Sequence, residues 1–137
     1  MGETYVLDSF ALLALLSGEP GSNEVDRLLR EAQKGEARLL MTWVNLGEVA
    51  YIVERRWGEK RLRQVLTTLE ATPLQMISVG RELVLAAAHI KAAHPLSYAD
   101  SFAAALAEQT GAALVTGDPE FRPLEKSIRI HWLPHRE

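Results

Sequence analysis

The sequence predicts an α/β fold, a three-layer α/β/α sandwich built on a short, mainly parallel, five-stranded sheet. Strand-like segments alternate with helical ones along the whole chain. Most strand segments are short and apolar without polar alternation, as expected for a sheet covered on both faces. The 137 residues, 47% hydrophobic and 24% charged, show no internal repeat, low-complexity tract or linker. They are expected to form one domain over residues 1–137 with a single substantial core.

Residues 5–7 read as a buried strand by their length and their aromatic and β-branched content. A helix follows over residues 9–16, stopped by Ser17-Gly-Glu-Pro-Gly. Ser22 or Asn23 is expected to cap a second helix, whose stripe of Val25, Leu28, Leu29 and Ala32 runs until Gly35. Residues 38–41 give the second strand. Thr42 caps a third helix that is apolar almost all round for three turns and ends at Gly58. An amphipathic helix with Leu62, Val65, Leu66 and Leu69 follows, and Pro73 breaks it. Residues 74–79 form the third strand, and residues 81–93 a helix that His94-Pro95 terminates. Ser97 caps a last helix ending near Gly111, before strands at 113–116 and 128–133.

Composition excludes several classes. Without cysteine there is no disulfide framework, thiolate nucleophile or Cys-type zinc site. A net charge of −3 argues against a protein that coats nucleic acid, though not against a local basic patch. The apolar stretch at residues 10–16 is too short to span a bilayer and lacks a basic flank, so a cytoplasmic, non-membrane protein is expected.

The chain has only four aspartates, and three stand in apolar surroundings. Asp8 separates Tyr5-Val-Leu from Phe10-Ala-Leu-Leu, Asp100 enters an alanine-rich helix, and Asp118 follows Ala112-Ala-Leu-Val-Thr-Gly. Asp26, among Glu24, Arg27 and Arg30, reads as surface. Buried acids are costly unless something compensates them, commonly a metal ion. Ligands of open parallel sheets gather outside the carboxyl ends of the strands. Asp8 and Asp118 converge there if the first and fourth strands are neighbours. Glu48 joins them, because its helical neighbours Val44, Tyr51 and Ile52 are all apolar.

Each acid also has a plainer reading. Asp8 can cap a helix, Asp100 can be the third residue of a capping box after Ser97, and Asp118 before Pro119 can form a turn. Glu48, in mid-helix, has no such explanation. Clustered carboxylates without a His-x-His or His-Glu-x-x-His pattern suit a hard divalent cation, Mg²⁺ or Mn²⁺. Such a centre fits phosphodiester hydrolysis, where the cation acidifies water and offsets charge in the transition state.

Four segments, Val6-Leu-Asp8-Ser9, Asn45-Leu-Gly-Glu48, Tyr98-Ala-Asp100-Ser101-Phe-Ala-Ala-Ala and Leu114-Val-Thr116-Gly-Asp118-Pro-Glu-Phe121, span nearly the whole chain. In order and spacing they resemble the PIN domain, and in size the VapC-like toxin ribonucleases of type II toxin–antitoxin pairs. The resemblance implies an acidic quartet of Asp8, Glu48, Asp100 and Asp118 holding one or two Mg²⁺ or Mn²⁺ ions, with Ser9 and Thr116 as supporting polar residues. Many relatives carry Asn where Asp118 stands and an acid just before a Phe, so Asp118 and Glu120 compete for the fourth role, with Asp118 preferred and Glu120 as a supporting candidate. The implied activity is metal-dependent endoribonuclease, with RNA as substrate, a cognate antitoxin as partner and a homodimer as assembly.

The cluster Arg55, Arg56, Lys60, Arg61 and Arg63 could guide an RNA backbone or form a solvated helix face. His89, His94, His131 and His135 read as structural or surface residues, and Trp43, Tyr51 and Trp57 as core or a docking surface. Two alternatives stay within the fold: a non-catalytic interaction module, and a nuclease of RNA processing outside a toxin–antitoxin pair. A phosphotransfer domain fits poorly. The dehalogenase-like form needs a second Asp where Phe10 stands, and a receiver needs an acidic pair and a late Lys.

Overall fold

A computed structural model describes residues 2–134. Five strands, β1 (Glu3–Leu7), β2 (Ala37–Thr42), β3 (Leu74–Ile77), β4 (Ala113–Thr116) and β5 (Ile130–Trp132), form one sheet in the order β3-β2-β1-β4-β5. Every pairing is parallel, so the sheet expected to be mainly parallel is wholly so among the described residues. The helices are α1 (Ser9–Ser17), α2 (Ser22–Gln33), α3 (Trp43–Trp57), α4 (Glu59–Glu70), α5 (Arg81–Ala93) and α6 (Tyr98–Thr110).

Side chains alternate across the sheet and divide the core into two layers. Val6, Leu40 and Leu114 point to one face, where Ala87 and Ile90 of α5 and Phe102, Ala103 and Leu106 of α6 cover them. Leu7, Leu39, Met41 and Val115 point to the other, against Leu12 of α1, Leu28 of α2, Val49 and Val53 of α3 and Val65 of α4. The small residues Ala103, Ala104, Ala105 and Ala107 let α6 approach the sheet closely, and all four are buried.

Some details differ from the sequence reading. The third strand, expected over residues 74–79, ends at Ile77. The cap of α2 is Gly21, with φ 100° and no side-chain hydrogen bond, rather than Ser22 or Asn23. A Cβ there would meet the Leu133 side chain at 3.2 Å, so the position favours glycine on both conformational and steric grounds. The last strand is shorter than residues 128–133: the Ile128 N–H donates back to the Leu124 carbonyl at 3.0 Å and its side chain is buried, so pairing with β4 starts only at Arg129. Of the two readings of Trp43, Tyr51 and Trp57, core or a docking surface, their exposure excludes the first.

The remaining surface reads as ordinary ion pairing. Asp26 pairs with Arg30 at 2.8 Å, as its surface assignment expected. His131 of β5 meets Glu24 of α2 at 2.6 Å and packs edge-on against Tyr5. His135 lies outside the described residues. Among the described residues no helix is long and apolar enough to cross a membrane.

Candidate metal centre

The strand order reverses direction between β1 and β4: β2 and β3 continue to one side of β1, and β4 and β5 lie on the other. Such a switch point opens a crevice at the carboxyl ends of the strands. Asp8 follows β1 and Asp118 follows β4, so the two acids flank this crevice. Asp100 stands in the first turn of α6, and Glu48 of α3 is near enough for its charge to act on Asp100.

Asp8 forms the floor. It is 1% exposed and caps α1, its Oδ1 accepting from the Ala11 N–H at 2.8 Å. Its Oδ2 is buried without a hydrogen-bond partner. A cap therefore explains only one of its two oxygens. Burial is the main reason its pKa is pushed up from 3.8 to about 8. The Thr116 hydroxyl and the Ala11 N–H oppose that rise, and the charges of Asp100 and Asp118 add to it.

Asp100 sits at the electrostatic centre. Ser97 Oγ accepts from its N–H at 3.1 Å, one arm of the expected capping box. Its pKa is raised to about 6, first by burial, against the Ser97 hydroxyl, and then by the charges of Asp118, Glu48 and Glu120. Three carboxylates, those of Asp100, Asp118 and Glu120, each present an oxygen within 4.8 Å of the others. Asp118 Oδ1 accepts from the Glu120 N–H at 2.9 Å, which turns the chain so that both acids face Asp100. The sequence left Asp118 and Glu120 as rivals; the 3-10 turn presents them together. Glu48 and Asp8 lie outside this tight triad: the charge of Glu48 raises the pKa of Asp100, and the charges of Asp100 and Asp118 raise that of Asp8.

The residues around the acids hold the geometry. Thr116 Oγ1 accepts from the Asp118 N–H at 3.0 Å. Ser9 Oγ donates to the Asn45 carbonyl at 3.1 Å. Asn45 itself was overlooked as a site residue. It is fully buried, its Oδ1 accepts from Thr42 Oγ1 at 2.6 Å, and its Nδ2 donates to the Ala99 carbonyl at 3.0 Å and to Ser9 Oγ at 3.4 Å. One amide thus ties together α1 next to Asp8, α3 bearing Glu48, and α6 next to Asp100. The signal was available: Asn45 lies one helical turn before Glu48 on an otherwise apolar segment.

Gly117 is buried against Phe10, and a Cβ there would stand 2.7 Å from Phe10 Cζ. The Thr116-Gly-Asp118 turn therefore depends on the absence of a side chain. Beside it lies a cavity of about 470 Å³ that reaches from Phe10 and Gly117 to Arg56 and has Asp118 in its wall. Of the five basic residues expected to guide RNA, Arg56 alone lines this cavity, and Arg63 is paired with Glu59 instead. Arg61 lines a smaller cavity next to Ser17, Arg55 stacks over Tyr51 at 5.0 Å, and Lys60 is exposed on α4.

The donor set fits a hard divalent cation. All the convergent groups are carboxylate oxygens, three are close enough to share one ion, and Asp8 keeps a buried oxygen that no protein group satisfies. Packed together, these acids repel one another and two of them hold protons more tightly than usual. A cation would relieve both costs.

No curated protein matches the chain in sequence. Solved structures match its fold. VapBC2 from Rickettsia felis, bound to a DNA fragment from its promoter, superimposes with a TM-score of 0.73 at 14% identity, over 96% of this chain and 99% of that one. DNA-bound VapBC from Salmonella typhimurium gives 0.71 at 19% identity, over 96% and 98%. VapC20 from Mycobacterium tuberculosis, a sarcin-ricin loop cleaving toxin, gives 0.68 at 18% identity, over 87% and 93%. The sequence model of the PIN domain matches residues 5–126, nearly the whole span from β1 to the turn before β5, and the chain belongs to the PIN domain family.

Proposed function

We propose that the protein is a divalent-metal-dependent endoribonuclease and the toxin of a toxin–antitoxin pair. The observation that carries this reading is the acid centre at the β1–β4 switch point, with its three convergent carboxylates and the unsatisfied Asp8 Oδ2. The likeness to VapBC complexes and to a toxin that cleaves the sarcin-ricin loop supports the choice of RNA as substrate and of an antitoxin as partner.

Asp100, Asp118 and Glu120 would hold Mg²⁺ or Mn²⁺, with Asp8 closing the site from below. When bound, the cation supplies Lewis-acid stabilisation of the scissile phosphate and acidifies the attacking water. The chain's own residues do the rest. Asp8 is fixed by the Ala11 N–H, and Thr116 holds the Asp118 backbone. Asn45 and Ser9 keep α1, α3 and α6 in register. Glu48 of α3, whose charge acts on Asp100, would take the proton that water releases on attack. Water attack at phosphorus leaves 5′-phosphate and 3′-hydroxyl ends without a covalent enzyme intermediate.

The same reading includes an antitoxin that covers the acid centre and a homodimer. Trp43, Tyr51, Leu85 and Tyr98 are large apolar side chains left exposed, and they supply candidate protein-binding surface. The test is cleavage of RNA by the purified chain with Mg²⁺ or Mn²⁺ and with chelator. Asp8→Asn and Asp100→Asn should each reduce the rate by about a hundredfold or more while remaining folded, and should relieve growth arrest on expression. Undiminished cleavage by either variant would overturn the assignment.

A further inference from the structure

The cavity beside the acid centre is not needed to hold a cation, yet Asp118 belongs to both. Whatever enters it lies next to whatever the carboxylates hold. Its lining is apolar at Phe10, Leu13 and Ala14 of α1 and at Pro20 and Pro119, and it holds two acids, Glu19 and Asp118, beside the single cation Arg56. The half-buried Phe10 ring lies next to Gly117 and forms one wall of the cavity. At the rim stands Arg56, two helical turns beyond Glu48 on the same stripe of α3. A second cavity of about 220 Å³ adjoins at Ser17, between Leu16, Val65, Trp57 and Arg61. Trp57 is 45% exposed, and the Arg56 guanidinium lies 6.0 Å from its ring centre.

This alternation of aromatic wall, cation, aromatic wall, cation matches a single nucleic-acid strand. Bases stack on aromatic faces, and arginines meet the phosphates between them. Resting on the nuclease reading above, we infer that the cavity bounded by Phe10, Arg56 and Asp118 receives the base next to the scissile phosphate of a single-stranded RNA, and that the strand continues over Trp57 and Arg61. A base must leave its helix to enter, so the site selects single strands and loops over duplex.

The experiment uses the full chain with Mn²⁺ and a labelled single-stranded oligoribonucleotide carrying one cleavage site. Matched oligonucleotides lack the base on one or the other side of that site. Wild type should lose about tenfold in kcat/KM when one particular flanking base is removed. Phe10→Leu should show the same loss on intact RNA and no further loss on the abasic substrate, a coupling that a merely structural role would not produce. Trp57→Ala, at an exposed position, should raise KM with kcat unchanged, and the same sequence in duplex should resist cleavage. Additive effects of base removal and Phe10→Leu, or indifference of wild type to both flanking bases, would overturn the inference. So would unchanged cleavage by both variants, which would leave the groove to a protein occupant. Wild type that cleaves no RNA defeats the nuclease reading itself, whereas base-indifferent cleavage defeats the strand path alone.

Discussion

Asp8 makes the cation-free protein unusual in how its stability depends on pH. Its pKa stands near 8 in the folded chain against an ordinary 3.8. Between those values the native state holds a proton that the unfolded chain has released, so stability falls as pH rises. The slope is about 1.4 kcal/mol per pH unit, or about 4 kcal/mol from pH 4 to pH 7. Asp100, raised to about 6, adds a loss of the same sign up to that pH, smaller because its carboxyl is partly open to water. Asp8→Asn keeps an oxygen to accept the Ala11 N–H and removes the ionisation. In chelator the variant should be more stable than wild type at pH 7, and its stability should fall with pH only by the share due to Asp100. Urea unfolding at intervals from pH 4.5 to 8 measures both slopes. Wild-type stability that is flat or rising across this range would refute the reasoning, as would an Asp8→Asn variant that keeps the full wild-type slope.

Further outcomes follow from the same geometry. Added Mn²⁺ should raise the thermal midpoint more at pH 8 than at pH 5.5, because binding must displace the protons that Asp8 and Asp100 hold at lower pH; a pH-independent shift in a melting assay would contradict this. Gly117→Ala should cost about 1–3 kcal/mol in chemical denaturation through its clash with Phe10, and Phe10→Leu in the same chain should recover part of it. Asn45→Ala strands the Ala99 carbonyl and the Thr42 hydroxyl, at a cost of about 2 kcal/mol or more. Calorimetry on the folded fraction should also show cation affinity lowered by about tenfold or more, which separates positioning from stability.

Much of this was legible in the sequence, because period and breaker residues act locally. The five strands and six helices follow from short apolar runs, caps such as Thr42 and Ser97, and the stops at Gly58 and Gly111. Glu48 stood out as a charge without local compensation, and its charge acts on Asp100 although it lies outside the close group of three acids. What was not legible depends on three-dimensional placement. Sequence left Asp118 and Glu120 as rivals because a 3-10 turn, unlike a helix, leaves no periodic trace. It left Trp43 and Tyr51 between core and surface because an apolar segment does not reveal which face meets the sheet. Nor did it separate Arg56 from Arg55 and Lys60, since a run of cations marks a helix and not the side that overlooks a cavity.

The central claim is that these costly acids are kept together for a divalent cation. Titration of Mn²⁺ into the metal-free chain at pH 7.5, followed by calorimetry, tests it most directly. Saturable binding is expected, weakened in Asp100→Asn and in both Asp118→Asn and Glu120→Gln, since both acids face the same oxygen of Asp100. Absence of binding by the folded wild type, or binding that all three replacements leave unchanged, would contradict it.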